Sequence, residues 1–225
     1  MPEWWTYTPG DFLMYSPRVH GRLLAAYQRD LWPAQVVALA LAVALALSVR
    51  SRVAWRGRAA SAVLAAGWAW VAWGFFAQRY ATIDWAGTYF AWAFAAQALL
   101  LAVLGAGRDR LLPDVGGSGV ARGAYALLLF ALFVQPALGV AFAGSWQSTP
   151  LAGVLPDPTA VATLGFVLMA QGRVRWTLLV IPLLWCAASG TLAWAMESAE
   201  AFVMFGAAAL ALVLAVVQRR DRGLP

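Results

Sequence analysis

The sequence predicts an all-α membrane protein, a bundle of seven transmembrane helices preceded by an amphipathic helix. Three observations lead to this fold class: the apolar composition, seven apolar runs, and arginines that follow every second run. Of the 225 residues, 63% are hydrophobic and 12% are charged, whereas soluble domains average about 45–50% apolar and about 25% charged residues. Since one composition runs through the whole chain, we expect a single membrane domain.

The net charge of +6 comes from sixteen arginines, because the chain contains no lysine. Without a lysine amine no Schiff base to retinal or pyridoxal forms, which excludes an opsin. The arginines are scattered between apolar runs instead of forming one basic face, so no nucleic-acid partner is expected. One cysteine, Cys186, and one histidine, His20, are too few for a zinc site or a disulfide framework. We therefore expect no metal and no cofactor.

Residues 1–32 are predicted to form an N-terminal periplasmic and interfacial segment. Its first residues, MPEWWTYTPGDF, lack the basic and then apolar pattern of a cleaved signal peptide. Ser16 followed by Pro17 indicates a helix start, with a capping hydroxyl and proline at the first turn. Apolar residues then recur at helical spacing between arginines, which predicts an amphipathic helix lying in the membrane interface. We expect it to act as an anchor or, alternatively, as a gate.

Seven apolar runs follow, and each is predicted to be one transmembrane helix. Two of them are short, but tilt or burial within the protein accommodates short spans. The runs are residues 33–49, 59–77, 85–107, 123–144, 158–171, 176–196 and 201–217.

The loop charges predict the orientation, because positive residues concentrate in cytoplasmic loops. The intervening loops carry acidic residues and one arginine, Arg79. This alternation predicts an N-terminus outside, a transmembrane domain over residues 33–218, and a short basic cytoplasmic tail at 219–225. The arginines after the first, third, fifth and seventh runs are Arg50, Arg52, Arg56, Arg58, Arg108, Arg110, Arg122, Arg173, Arg175, Arg219, Arg220 and Arg222.

The fifth run, in LPDPTAVATLGFVLMAQGR, is the shortest and begins with a distinctive signal. Asp157 is predicted to be its N-cap, with Pro158 at the first helical position and Thr159 next. A carboxylate at a helix start partway into a membrane favours a cation or a hydrogen-bond donor. The alternative is a plain N-cap that contributes about 1 kcal/mol.

No Asp, Glu, Arg or His lies in the middle of any run, which argues against a proton pump, a voltage sensor and chemistry at the midplane. The polar groups at this depth are Gln97, Gln135 and Cys186, with Trp68 beside them. One interpretation is hydrogen bonding between helices, worth roughly 1 kcal/mol for each group. The other is a neutral pocket in which two amides and an indole bind an uncharged or zwitterionic solute.

The outer side is richer in chemistry. Tyr80, Asp84 and Trp85 lie between the second and third runs, and a carboxylate beside aromatic faces is typical of a cation-binding cage. Alternatively, the aromatic residues only anchor the protein at the interface, and Arg79 pairs with Asp84. Further acidic and aromatic residues expected on this side are Glu3, Trp4, Trp5, Tyr7, Asp11, Trp146, Asp157, Trp194 and Glu197.

Several motifs together resemble a bacterial multi-pass family known as domain of unknown function six-zero-six-four. They are EWWTY, DFLMYSPR, LWPAQ, YATIDWAG, PDPTAVATLG and IPLLWCAASGTLAWAM, which extend over nearly the whole chain. The resemblance implies a membrane fold in a bacterial inner membrane and recurring motifs around Tyr80, Asp84, Asp157, Pro158 and Thr159. It implies no activity.

The sequence therefore favours a protein that binds a small neutral or cationic solute, or facilitates its movement, through an outward-opening pocket in the bilayer. The alternative is a non-catalytic scaffold or accessory subunit. A membrane enzyme is less favoured, since it would need Asp84 and Asp157 to meet; no catalytic residue is assigned. A protein partner or homo-oligomer stays open. The predicted ligand-binding residues are Trp68, Tyr80, Asp84, Trp85, Gln97, Gln135 and Asp157.

Overall fold

The computed structural model describes residues 10, 13–51, 53–107, 111, 118–143, 150–170 and 174–221. Over these ranges the chain is helical and contains no β-strand, although Ala152 and Leu155 form an isolated bridge. The all-α class is therefore confirmed. Outside the described residues lie the predictions for Glu3, Trp4, Trp5, Tyr7, Asp11, Arg52, Arg108, Arg110, Trp146, Arg173 and Arg222.

The described parts of all seven apolar runs are helical over most of their length, and the predicted amphipathic helix precedes them. Two of the helices continue into a wider π turn, and a third π turn joins two further helices. In chain order the elements are α1 (Pro17–Asp30), α2 (Ala34–Arg50), α3 (Arg56–Trp70) with π turn Val71–Ala77, a short 3-10 turn (Tyr80–Thr82), α4 (Ala86–Leu100) with π turn Leu101–Gly107, α5 (Gly119–Leu129), π turn Phe130–Val134, α6 (Gln135–Ala143), α7 (Pro156–Met169), α8 (Val174–Ala195) and α9 (Glu200–Asp221).

Helix α1 begins as its sequence predicts. The Ser16 hydroxyl accepts a hydrogen bond from the backbone N–H of Val19, and Pro17 occupies the first turn. Tyr27 and Gln28 are buried while the arginines are exposed, so the helix is amphipathic. It meets α2 at 87°, which is the angle expected between an interfacial helix and a helix that enters the membrane.

The π turn before α6 has a local cause. Pro136 has no N–H to bond the carbonyl one turn back, and the chain widens over Phe130–Val134 immediately before it. Pro182, in contrast, lies inside α8, which continues from Val174 to Ala195.

Among the described residues, five helical segments are long and apolar enough to cross a membrane, and the count is six if the bent pair α1 and α2 forms one span. The length and composition of these helices are those of a membrane protein. Helix α7, with 14 residues, is shorter than the about 20 that a span requires. The five segments are Arg56–Thr82, Ala86–Gly107, Gly119–Val140, Val174–Ala195 and Glu200–Arg219.

Helix α7 forms the centre of the molecule. It packs against α3, α5, α8 and α9, and 13 of its 14 residues are buried. A Cβ added at Gly165 would lie 2.5 Å from the backbone nitrogen of Leu128 and 2.8 Å from the carbonyl oxygen of Ala124. The backbones of α5 and α7 therefore approach as closely as a glycine allows.

The bundle has two chemically different ends. At the α1 end, Tyr15 bonds Tyr80 and Tyr27 bonds the carbonyl of Val154, so α1, the 3-10 turn and the loop before α7 meet there. At the opposite end, which we call the arginine end, Arg58 donates to the carbonyl of Ala106 and six described arginines gather. They are Arg50, Arg56, Arg58, Arg122, Arg175 and Arg219.

Candidate functional site

The first turn of α7 carries the carboxylate that the sequence singled out, but in a different role. The N-cap of α7 is Leu155, whose extended backbone makes no side-chain cap, and Pro156 takes the first helical position. The prediction that Asp157 is the N-cap and Pro158 the first helical residue is therefore wrong. Proline is favoured at the first position of a helix, and the earlier of the two prolines sets the start. The Asp157 side chain is thereby left available for contacts outside its own helix.

Asp157 contacts α8 through two neutral donors. Its Oδ1 accepts a hydrogen bond of 2.8 Å from Trp185 Nε1 and another of 2.8 Å from Ser189 Oγ. The two donors are four residues apart, so they share one face of α8. Asp157 makes no ion pair with any described residue, and its Oδ2 accepts no hydrogen bond from them. That second oxygen is a free acceptor for a further donor or a cation.

Aromatic rings surround the Trp185 indole. Its ring centroid lies 5.1 Å from Phe76, 5.2 Å from Phe90 and 5.1 Å from Phe94, each in an edge-on arrangement. Trp68 continues the group, with its ring centroid 4.2 Å from Phe94. We call these five residues the aromatic cluster. It connects α3, α4 and α8 and covers the side of Trp185 that does not donate to Asp157.

Tyr80 lies between the aromatic cluster and a cavity. Its ring packs 5.7 Å from Phe76, and its hydroxyl is hydrogen-bonded to the hydroxyl of Tyr15. Tyr15 lines a cavity of about 510 Å³ together with Met196 and Glu197 from the turn after α8. We call this space the α1-end cavity. The two tyrosines therefore form the wall between the cavity and the aromatic cluster.

Burial keeps the groups at this wall neutral near pH 7. It raises the pKa of the Tyr15 hydroxyl, so the phenol stays protonated. It lowers the pKa of His20, whose ring stacks 5.7 Å from that of Tyr15. The wall thus presents neutral hydrogen-bonding groups and aromatic edges to the α1-end cavity.

Asp84 and Arg79 do not pair with each other. Asp84 Oδ1 accepts a hydrogen bond of 2.9 Å from the backbone N–H of Ala86 at the start of α4. Arg79 instead bonds Asp30 at 2.8 Å. The prediction of an Arg79–Asp84 pair is therefore wrong. The end of α1 places Asp30 within reach of Arg79, and the backbone at the start of α4 hydrogen-bonds Asp84. Trp85 points away from the site and is 64% exposed.

The remaining candidates contact neighbouring helices. Trp68 Nε1 donates a hydrogen bond of 2.7 Å to Thr163 Oγ1 on α7. Gln97, which is fully buried, donates 3.0 Å from Nε2 to the carbonyl of Leu178 on α8. The buried Oε1 atoms of Gln97 and Gln135 accept no hydrogen bond from the described residues. The structure therefore brings Tyr80, Trp68 and Asp157 to the aromatic cluster, whereas Gln97 bonds α8 and no hydrogen bond among the described residues joins it to Gln135.

Comparison with known proteins confirms the resemblance that the motifs indicate. A model described as a family of unknown function (DUF6064) matches residues 19–225. The chain belongs to this family. No match was found among the curated proteins or among the solved structures. The arguments about this DUF6064 protein therefore depend on its own residues.

In this DUF6064 member the donors to Asp157 were not among the predicted site residues. Trp185 and Ser189 lie within one apolar run, where an indole and a hydroxyl four residues apart look like ordinary interior residues. Thr159 and Thr163 of α7 have the same spacing and were missed as a pair. A search for polar residues repeated at intervals of four in apolar runs finds both pairs, because that spacing marks one helix face.

Proposed function

We propose that this protein resides in the bacterial inner membrane and binds a small neutral or cationic solute at the α1 end, facilitating its movement. The observation that carries this proposal is the Asp157 carboxylate. It is half-buried, accepts from two neutral donors through Oδ1 and keeps Oδ2 available, with no ion pair to a described residue. A carboxylate that is partly removed from water is stabilised by a further donor or by a cation. A cationic or hydrogen-bond-donating solute would supply that missing partner.

The α1-end cavity provides a space through which a solute would enter. Its volume of about 510 Å³ suits a small molecule. The Tyr15 and Tyr80 hydroxyls separate it from the aromatic cluster. A small rotation of either phenol would open this wall without breaking a helix. Aromatic faces next to a carboxylate attract organic cations.

For the membrane arrangement we propose seven passes, with the α1 end outside. The acidic side chains described at the α1 end are Asp30, Asp84, Asp157, Glu197 and Glu200, beside four arginines, whereas six arginines belong to the opposite end, where α9 ends at Asp221. Cytoplasmic loops are enriched in arginine, which favours this orientation. Helix α7 is short, but the surrounding helices shield its ends from lipid.

A scaffold or accessory subunit is the second candidate, and a specific observation favours it. Trp68 and Gln97 each hydrogen-bond a neighbouring helix, which is what polar residues do when they only hold a bundle together. The two candidates differ in what they expect of Asp157. A scaffold needs only Oδ1, which bonds α8, whereas solute binding also needs the free Oδ2 and its charge.

The test is native mass spectrometry of the gently solubilised protein and of Asp157→Asn. The asparagine carbonyl still accepts from Trp185 and Ser189, so we expect an unchanged melting temperature. We also expect loss of a small molecule that the original protein retains. Asp30→Asn removes a carboxylate at the same end and is the matched control, expected to retain that molecule. A bare mass, or one with lipid alone, would favour the scaffold.

The orientation is tested by cysteine labelling of intact cells with a membrane-impermeant maleimide. Gly21 at the α1 end and Gly119 at the arginine end both have open space where a Cβ would be added, so each accepts a cysteine. In a Cys186→Ala background, which removes the buried natural thiol, Gly21→Cys should label and Gly119→Cys should not. The reverse result would overturn the proposed orientation.

A further inference from the structure

A second cavity lies along one side of α2, and its lining reaches Thr159 in the first turn of α7. It is an apolar groove of about 380 Å³ whose first wall is α2, with Ala34, Ala38, Leu41 and Leu45 at successive turns and Leu31 just before the helix. Its opposite wall includes Trp70 of α3 and Val154 of the loop before α7. We call it the α2 groove. Its mouth is apolar as well, since Val37 at its edge is 60% exposed.

The floor of the α2 groove is backbone. A Cβ added at Gly67 would lie 2.9 Å from the Cα of Gly153, so the two glycines bring α3 and the loop together. Neither residue has a side chain to fill the space above that contact. The groove is therefore left open above a close backbone contact between two glycines.

The dimensions of the groove suit one lipid chain. It follows α2 from Ala34 to Leu45, which is about 17 Å at the rise of an α-helix. The hydrocarbon core of a bilayer is about 30 Å thick, so one leaflet is about 15 Å deep. An acyl chain lying along α2 would therefore match the length of the groove.

The end of the groove next to α1 is polar. Trp70, which lines the groove, donates 3.0 Å from Nε1 to the Tyr27 hydroxyl. That hydroxyl in turn donates 3.1 Å to the carbonyl of Val154. The Arg79 guanidinium lies 6.0 Å from the centre of the Tyr27 ring. The apolar walls thus end at hydrogen-bonding groups, as the acyl region of a lipid ends at its ester and phosphate groups.

Positive charge continues from this end onto α1. Arg29, in the last turn of α1 and two residues before the groove-lining Leu31, is exposed and makes no ion pair with a described residue. Asp30, the acidic residue of α1, is already engaged by Arg79. An arginine at the interface with no acidic partner is suited to a phosphate group.

We propose that the α2 groove binds one phospholipid with an anionic headgroup, its acyl chain lying along α2 and its phosphate paired with Arg29. The right angle between α1 and α2 places the basic helix across the end of the apolar groove, as a headgroup above a chain requires. The groove and the α1-end cavity share no lining residue. This inference therefore does not depend on the proposed solute site.

The experiment uses the full chain in detergent, with phosphatidylglycerol and phosphatidylcholine of identical acyl chains added before native mass spectrometry. One adduct is expected, with phosphatidylglycerol retained about tenfold more than phosphatidylcholine, because both lipids carry the phosphate but phosphatidylcholine also places a cationic choline near Arg29. Inorganic phosphate alone is a further probe and should leave no adduct. Equal retention of both lipids, or retention of phosphate alone, would overturn the proposal.

Two matched pairs of variants locate the lipid. Ala38→Trp fills the groove, whereas Ala40→Trp makes the same change on an exposed face of α2. The first should lose both lipid adducts and the second should keep them. If Ala38→Trp fails to fold, Val37→Trp at the mouth of the groove carries the same expectation.

The headgroup is tested by Arg29→Ala against Arg18→Ala, which lies about 17 Å away along α1. Arg29→Ala should abolish the preference for phosphatidylglycerol while a lipid still binds, and Arg18→Ala should preserve it. Equal effects of the two arginine variants, or of the two tryptophan variants, would contradict the proposal. A dimer mass lost only in the groove variants would show that a second copy of the chain occupies the groove.

Discussion

Helices α2 and α7 look alike in sequence and differ completely in position. Both are apolar and short, with 17 and 14 residues, and neither carries a charge in its middle. Yet α2 buries five of its residues, whereas α7 buries 13. Apolar content therefore does not tell a peripheral helix from a central one. The difference lies in the small and polar residues and in what they contact.

The threonines of α7 bond other elements, whereas Ser48 of α2 bonds only its own helix among the described residues and Gln35, at the start of α2, donates to the carbonyl of Gln28 on α1. Thr163 accepts from Trp68 of α3, and Thr159 accepts from the backbone N–H of Gly153 in the preceding loop. Ser48 of α2 donates to the carbonyl of Leu45 in its own helix. An enclosed helix has neighbours on every side, so each polar group finds a partner there. The carboxylate of Asp157 follows the same rule at the start of α7.

The largest effect that separates the two helices should come from a leucine. Leu164→Ala on α7 removes a fully buried side chain and should cost about 3 kcal/mol, since packed neighbours collapse little around the cavity. Leu39→Ala on α2, where the side chain is 41% exposed, should cost under about 1 kcal/mol. Thermal unfolding in one detergent measures both. Similar losses would mean that the two helices are not packed differently.

A glycine pair tests the close approach of α5 and α7. Gly165→Ala places a methyl group against the backbone of Leu128 and should destabilise the protein by about 2 kcal/mol through overpacking. Gly206→Ala on α9, where nothing lies within 4 Å of the added Cβ, should be neutral or stabilise by up to about 1 kcal/mol. The same unfolding assay applies. Stabilisation by Gly165→Ala would contradict the contact.

The hydrogen bond between Trp68 and Thr163 should be worth less. A double-mutant cycle of Trp68→Phe and Thr163→Val is expected to give a coupling energy of about 1 kcal/mol. The bond joins α3 to α7 at 2.7 Å. Either substitution removes it, so the double variant should lose less stability than the sum of the two single variants. Additive effects of the two substitutions would mean that the residues act independently.

The smallest effect is expected on α2. Ser48→Ala removes a hydroxyl that bonds only its own helix among the described residues, and the change should stay within about 0.5 kcal/mol. Chemical unfolding of the purified protein has the sensitivity to detect it. A loss as large as that for Thr163→Val would show that Ser48 has a partner beyond its helix.

The sequence alone located the helices closely. The third run was expected from residue 85 and α4 begins at Ala86, while the seventh was expected from 201 and α9 begins at Glu200. Ser16 was recognised as the cap of α1, and the family was recognised from its motifs. These features are local, because apolar runs, caps and prolines act on the few residues around them.

Only the tertiary structure decided which helix is central and which side chains meet. The partners of Asp157 lie 28 and 32 residues away on α8, and Arg79 pairs with Asp30, 49 residues away, instead of the nearby Asp84. Such contacts depend on how the helices are arranged around α7. A helix forms from the bonds within its own backbone, whereas a half-buried carboxylate takes whichever donors the packing of other helices brings to it.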